Sequence, residues 1–166
     1  MRKRFLILAG ILLGISALSS TVYAQTSSSS STQKEAKMAN RAIGPFEVKL
    51  NPLSPYNSDD KAFGRMSIDK QFHGDLEATS KGEMLAYARL AYVALEKVTG
   101  SLRGRTGTFV LEHNATLVNG TPTLTITVVP TSGSGQLTGL EGKMNIVVAP
   151  DGKHSYEFDY TLPNSH

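Results

Sequence analysis

The sequence predicts an all-β domain, either an antiparallel sandwich or a barrel, and three features of the chain indicate this class. Apolar and polar side chains alternate with period two over most of the chain after Gly44. Short turn motifs separate the alternating runs. The segment 44–162 has about 120 residues, which is enough for one hydrophobic core and too few for two.

The first 24 residues are typical of a secretory signal peptide. A basic start, "MRKR", precedes an apolar run from Phe5 to Ile15 that is short for a membrane span. Small residues at Val22 and Ala24 predict cleavage after Ala24. An uncleaved anchor is the alternative, but a polar Ser/Thr stretch follows the short run. We therefore expect an exported protein, periplasmic or secreted, with no stable membrane span after cleavage.

Cysteine usage and charge exclude several classes. The chain has no cysteine, which excludes disulfides and a lipid anchor on cysteine, so the domain must rely on a packed core. The net charge of +3 comes entirely from the basic start of the leader. Cleavage would leave fourteen basic and fourteen acidic side chains. A chain so close to neutral, without patterned positive charge, is not expected to bind nucleic acid.

A polar segment separates the leader from the domain. It reads "QTSSSSSTQKEAKMANR" and has almost no large apolar side chain. Such a segment cannot bury enough surface to offset its ordering entropy. We predict a flexible tether over residues 25–43 and one domain over residues 44–166.

Five runs predict strands, each with one packed and one more polar face. The apolar positions are Phe46, Val48 and Leu50; Met66, Ile68 and Phe72; Phe109 and Leu111; Leu124, Ile126 and Val128; and Tyr156, Phe158, Tyr160 and Leu162. Tight hairpins are predicted at His73–Asp75, Val118–Gly120 and Pro150–Gly152. A looser Gly/Ser turn is predicted at Pro130–Gly135.

One segment disagrees with this pattern. Ser80 and Glu83 have capping-box spacing, and Gly100 would lie just past a helix end. The apolar positions between them recur at helical spacing: Met84, Tyr87, Ala91, Leu95 and Val98. Propensity alone therefore predicts a helix from Gly82 to Val98.

Several long motifs resemble a known family. "GDLEATSKGEML", "YVALEKVTGSLRGRTGTFVLEHNA", "VVPTSGSGQLTGLEGKMNI" and "DGKHSYEFDYTL" together are similar to an uncharacterised family of small bacterial proteins, domain-of-unknown-function family 3224. The resemblance covers nearly all of the segment 44–162. It implies a closed antiparallel β-barrel of about eight strands, allene-oxide-cyclase-like or lipocalin-like. It implies no activity, and the isomerase chemistry of allene oxide cyclase would transfer by fold analogy alone.

The segment with helical spacing departs from the family pattern. In the family "GEML" ends one strand and "YVALE" belongs to the next, with a longer connection between them. Here the connection is only "AYARLA", residues 86–91. We expect strands at both ends and allow one short helical turn between them.

His113 is the first candidate for a site residue. Neighbours on a strand face opposite sides of the sheet, so if Phe109 and Leu111 point inward, His113 does too, and Glu112 points to solvent. An inward imidazole can hydrogen-bond a ligand or act as a general base near neutral pH. A structural role, tying strands together, is the commoner use of such a histidine.

Glu96, Tyr92 and Arg105 complete the candidate ligand-binding set. Glu96 shares parity with Tyr92, and if that face lines the barrel, Glu96 is a buried carboxylate with a raised pKa. If Ala91 and its parity line the barrel instead, Glu96 is on the surface. Arg105 and Arg103 flank Gly104, and they either pair with an acidic ligand or with Glu96, or are solvated turn charges. Tyr87, Tyr92, Tyr156 and Tyr160 either floor an apolar pocket or pack in the core.

The sequence has no motif for metal binding, cofactor binding or a known catalytic set. The four histidines are scattered without paired ligand spacing, so no metal is expected, and no motif indicates a cofactor or a catalytic set. Three functions stay open. The first is a binding module for a small apolar or amphipathic molecule. The second is an isomerase or cyclase that uses His113 or Glu96. The third is a structural or interaction module without a pocket.

Overall fold

The computed structural model describes residues 40–54 and 60–163, and eight strands make up most of them. They are β1 (Asn40–Pro52), β2 (Phe63–Phe72), β3 (Leu76–Tyr87), β4 (Ala91–Leu102), β5 (Arg105–Val118), β6 (Thr121–Val128), β7 (Glu141–Val148) and β8 (His154–Thr161). One 3-10 turn, Gly135–Leu137, lies between β6 and β7. Among the described residues, no helix is long and apolar enough to cross a membrane.

The strands form a closed barrel in chain order. Each strand pairs antiparallel with the next, and β8 returns to pair with β1, with Ala42 opposite Phe158. Closure pairs the sheet edges almost everywhere, but β6 and β7 pair only at Ile126↔Met144 and Thr127↔Lys143. The predicted closed antiparallel barrel of about eight strands is confirmed.

β1 begins earlier than the predicted domain boundary. Asn40 to Ile43, assigned to the tether from sequence, are part of β1, and Ala42 is completely buried. The boundary at Gly44 is therefore four residues too late, because the buried residue, Ala42, is small and the larger apolar residue, Ile43, is exposed, so the sequence shows no clear alternation there. The predicted signal peptide (1–24), the rest of the predicted tether (25–39) and the last three residues lie outside the described residues.

The segment 82–98 is a β-hairpin, so the strands expected at both ends are confirmed, and the helix that propensity alone predicts does not form. β3 and β4 pair from Leu76↔Leu102 to Tyr87↔Ala91, and only residues 88–90 connect them. The helical spacing arose because the outer faces of these strands also carry apolar side chains, with Leu85, Val93 and Leu95 all exposed. Apolar residues on both faces erase the period-two alternation and imitate a helical stripe.

The connections between strands lie at the two ends of the barrel, and the predicted turns at His73–Asp75, Val118–Gly120 and Pro150–Gly152 are among them. The turns at Ala88–Leu90, Asn119–Gly120 and Pro150–Gly152 are at one end, which we call the open end. The turns at His73–Asp75 and Arg103–Gly104, with the segment 129–140, are at the other, which we call the closed end. Asn119 and Gly120 both have positive φ (51° and 78°), as a two-residue hairpin requires.

The hydrophobic core fills the half of the lumen next to the closed end. Its largest completely buried side chains come from all parts of the chain: Phe72, Leu76, Leu102, Phe109, Leu111, Ile126, Leu137, Leu140, Met144, Tyr156 and Phe158. Phe109 and Phe158 stack with ring centroids 5.8 Å apart. This half of the barrel is packed solid with side chains, as small barrels commonly are.

The segment 129–140 closes this end and also covers part of β5. β6 is shorter than β5 and pairs with it only from Leu111 to Val118. Beyond that point the hydroxyl oxygens of Ser132 and Ser134 accept hydrogen bonds from the backbone N–H groups of Val110 (3.0 Å) and Thr108 (3.1 Å). These serines satisfy donors on β5 that β6 does not reach.

Candidate functional site

A cavity of about 520 Å³ occupies the other half of the lumen and opens at the open end of the barrel. Its volume lies within the range of small-molecule sites, roughly 300–1,000 Å³. Inward residues from most of the strands line it, and aliphatic side chains form much of the upper wall: Val48, Leu50, Leu124, Ile146 and Val148. The cavity exists because the large side chains of the core are confined to the closed end.

Four polar residues on neighbouring strands meet between the cavity and the core. Lys70 is on β2, Ser80 on β3, Glu96 on β4 and His113 on β5. All four are buried, with 8%, 3%, 0% and 3% of their surface exposed. Each has the inward parity of its strand, so the pleat of four paired strands directs the four side chains to one place. We call this group the polar cluster.

Glu96 is the centre of the polar cluster. Its Oε2 accepts a hydrogen bond from Lys70 Nζ at 2.7 Å, and both partners are almost inaccessible to solvent. Its Oε1 accepts a hydrogen bond from the hydroxyl of Ser80. Both carboxylate oxygens are therefore already bound within the protein.

His113 makes a close but poorly aligned contact with the same carboxylate. Its Nε2 lies 2.9 Å from Glu96 Oε2. In spite of that distance, this buried nitrogen has no hydrogen-bond partner of acceptable geometry among the described residues. Poor alignment weakens a hydrogen bond steeply even at short distance. The inward orientation of His113 and the outward orientation of Glu112 are as predicted.

The pKa of the Glu96 carboxyl is lowered. Burial would raise it, but the contacts with His113, Lys70 and Ser80 outweigh burial and bring the pKa from 4.5 to about 2. The parity of Tyr92 and Glu96 does line the barrel, yet the raised pKa expected for a buried Glu96 is wrong. That expectation left out the contacts with His113, Lys70 and Ser80, which favour the ionised carboxylate.

The polar cluster presents its basic side chains to the cavity. Lys70 and His113 line the cavity, whereas Glu96 and Ser80 do not. Lys70 Nζ also lies over the rings of Phe46 and Phe72, 5.3 and 5.6 Å from their centroids. Glu96 therefore contacts both basic residues on the side away from the cavity, and it does not border the space that a ligand would occupy.

Of the predicted tyrosines, Tyr92 alone lines the cavity. Burial, and then the charge of Glu96, raise the pKa of its hydroxyl, so Tyr92 is a neutral group at the cavity wall. Tyr156 and Tyr160 belong to the core of the closed end. Tyr87 points outward and packs against Phe63 at 5.0 Å.

Arg105 is not part of this site. It starts β5 at the closed end, and its Nη1 donates to the carbonyl oxygen of Pro163 at 3.1 Å. Arg103 binds Asp75 at 3.1 Å at the same end. Of the alternatives for these arginines, pairing with Glu96 does not occur, because the β4–β5 turn that carries them lies at the end of the barrel that the core fills, where their hydrogen bonds are exposed.

Two residues of the site, Lys70 and Ser80, were missed in the sequence. Lys70 lies between Ile68 and Phe72 at their parity, which was a readable indication that the lysine points inward. Ser80 was interpreted as a helix cap and was therefore never assigned to a sheet face. No group of three or more His, Cys, Asp or Glu side chains lies close enough to hold a metal ion in the described part of the chain.

Comparison with known proteins places the chain in a family. A model described as "Protein of unknown function (DUF3224)" matches residues 42–160. A crystal structure of a protein of unknown function from the DUF3224 family of Shewanella oneidensis MR-1 is 42% identical, with a TM-score of 0.69, and the match covers 77% of this chain and 100% of that one. No curated protein matches the chain. The chain belongs to the DUF3224 family of proteins of unknown function.

Proposed function

We propose that this protein binds a small apolar or amphipathic molecule in the cavity at the open end of its barrel. The observation that carries the proposal is the division of the lumen. One half is filled by the core, and the other half leaves about 520 Å³. A barrel that served as a module without a pocket would gain stability by filling this space, because interiors otherwise pack without large voids.

Apolar side chains at the mouth support an apolar or amphipathic ligand. Leu50, Leu117, Leu124 and Val148 line the cavity, and between 40% and 58% of the surface of each is exposed. Exposed apolar side chains grouped in a concave wall mark a binding surface more often than scattered ones do. A ligand that covered them would gain the free energy of apolar burial.

Binding has more support than catalysis. Glu96 is a poor general base, because its pKa is lowered to about 2 and both its oxygens are engaged. His113 borders the cavity and is the remaining candidate for proton transfer in an isomerase or cyclase. If the reaction used a second group to donate or accept a proton, Tyr92 is the candidate, because its neutral hydroxyl also lines the cavity.

Native mass spectrometry of the protein purified from its own cells or medium tests the proposal. We expect a co-purifying small molecule, bound one per chain. Ala115→Phe fills the cavity from β5 and should abolish binding, whereas Asn114→Phe, on the outer face of the same strand, should leave it intact. If the folded protein carries nothing and binds no apolar probe, the proposal is wrong. Turnover of the recovered molecule by the purified protein, lost in His113→Ala, would favour the enzyme instead.

We also propose that the protein is exported and cleaved after Ala24, on the strength of the basic start, the short apolar run and the small residues before the cleavage site. The mass of the protein recovered from periplasm and medium should be that of a chain beginning at Gln25. A full-length chain confined to the cytoplasm would contradict this.

A further inference from the structure

We propose that the ligand is an amphipathic carboxylate that enters the barrel head first, with its carboxylate at Lys70 and His113 and its hydrocarbon tail at the mouth. The inference rests on the proposed binding function and adds the charge of the head group and the direction in which the molecule lies.

The hydrogen-bonding groups that the polar cluster leaves for a ligand are donors, so the ligand must bring an acceptor. Each carboxylate oxygen of Glu96 already accepts a hydrogen bond, one from Ser80 and the other from Lys70. A lysine ammonium has three N–H donors and no acceptor, and one of the three is accounted for by Glu96. The Lys70 ammonium, which lines the cavity floor, therefore still has N–H donors for a ligand. A ligand atom placed there must accept hydrogen bonds, as a carboxylate does best.

The charge of the lining selects an anion among the acceptors. Apart from Tyr92, the ionisable residues that line the cavity are all basic: Lys70, Arg89, His113 and His154. No Asp or Glu is among the described residues of the lining. Because the cavity is bounded by low-dielectric walls, a buried anion at the floor would be attracted by the Lys70 ammonium more strongly than in water. An ammonium head group would be repelled by Lys70, and no carboxylate among the described residues of the lining would receive it.

The distribution of polarity along the cavity sets the direction. The polar cluster is buried at the floor, while the wall near the opening is formed by exposed aliphatic residues such as Leu124 and Val148. A molecule with its carboxylate outward would leave the donors of Lys70 buried against hydrocarbon, which is costly. With its carboxylate inward, the tail covers the exposed aliphatic side chains.

Calorimetric titration with three probes of equal chain length tests the head group. The probes are n-decanoate, n-decanol and n-decylamine, each added to the wild-type protein. We expect decanoate to bind at least about tenfold more tightly than decanol, since a tenfold ratio needs only one good charged contact, and decylamine to bind most weakly. Equal or tighter binding of decanol or decylamine overturns the inference while leaving the proposed function intact. Failure of all three to bind counts against the proposed function itself.

Paired variants locate the head group. Lys70→Met/Glu96→Gln removes the ion pair without leaving one charge buried alone, and should reduce the decanoate-to-decanol ratio to about one. Lys97→Met/Glu112→Gln makes the same chemical change at two exposed outer-face positions and should keep the wild-type ratio. Arg89→Gln, at the mouth, removes a lining charge that lies away from the proposed head-group position, so it should lower the ratio much less than the Lys70/Glu96 variant does. Loss of the ratio in Arg89→Gln, with retention in the Lys70/Glu96 variant, would place the carboxylate at the mouth and overturn the inference.

NMR contacts with bound decanoate test the direction without any substitution, so the inference stays testable if the double variant does not fold. The methylene next to the carboxylate should contact the ring of His113, and the terminal methyl group should contact Leu124 or Val148. The reverse set of contacts refutes the head-first orientation.

Discussion

At the scale of single residues, Glu96 is the buried charge around which the polar cluster is arranged. It is completely buried, ionised, and shared by a lysine, a serine and a histidine on three neighbouring strands. A carboxylate in such a place is tolerated only because its charge and both oxygens are matched. The cluster therefore ties β2, β3, β4 and β5 together where the core ends and the cavity begins.

This arrangement predicts a specific loss of stability in acid. The pKa of Glu96 is lower in the folded chain, about 2, than its ordinary value of 4.5, so folding favours the ionised form. Its contribution, about 3 kcal/mol of unfolding free energy by linkage, is present above pH 4.5 and is lost as the pH falls toward 2. Urea unfolding at a series of pH values should show this decline. The Glu96→Gln variant should have a lower unfolding free energy than wild type near neutral pH. Its unfolding free energy should also fall less between pH 4.5 and pH 2.

The control for this prediction lies next to His113. Glu112→Gln removes an exposed carboxylate from the outer face of β5 and should keep the wild-type decline. A Glu96→Gln variant with the same pH dependence as wild type would show that the buried ion pair does not contribute in this way.

At the scale of elements, the β3–β4 hairpin is where local preference and tertiary pairing disagree. Its sequence has helical spacing and a capping box, yet both strands pair over their full length with each other and with β2 and β5. A helix would leave those neighbours with unpaired backbone groups, which is more costly than a poor propensity.

Gly82 provides a test of how closely this hairpin is packed. A Cβ at Gly82 would lie 2.3 Å from Leu95 O and 2.8 Å from Glu96 Cα, closer than atoms can approach. Gly82→Ala should therefore destabilise the protein by roughly 1–3 kcal/mol, as overpacking does, and should displace Glu96. Gly64→Ala on β2 is the matched control, since nothing lies within 4 Å of its Cβ, and it should be neutral or slightly stabilising. Thermal unfolding of both variants measures the difference, and equal melting temperatures would contradict it.

At the scale of the whole molecule, the barrel divides its lumen between stability and binding. Large buried side chains, with Phe109, Phe158 and Tyr156 among them, are collected at the closed end. Aliphatic residues at the open end stay partly exposed and surround the cavity. Most of the folding free energy should therefore come from one half of the barrel.

Two truncations on the inner face test this division. Phe109 is 1% exposed and Leu124 is 40% exposed. Phe109→Ala should cost about 3–5 kcal/mol of unfolding free energy, whereas Leu124→Ala should cost less than about 1 kcal/mol. Denaturant unfolding compares the two, and similar losses would mean that the mouth contributes to the core after all.

The fold class and the inward position of His113 were predictable from the sequence, because alternation is a local property of an extended chain and needs only a few neighbouring residues to be read. The site was only partly predictable. Whether Glu96 faced the lumen stayed open because apolar residues on both faces of β4 hid its parity. Lys70 was readable beside Ile68 and Phe72, but nothing local connected it with Glu96, 26 residues away.

Barrel closure and strand register decided the rest. Register brings Lys70, Ser80, Glu96 and His113 to one level of the lumen, and only that meeting reverses the expected direction of the Glu96 pKa. Closure also separates Arg105 from the cluster by putting it at the other end. Charges, donors and empty volume in this protein are set by distances across strands, which the order of residues along the chain does not specify until the backbone has paired.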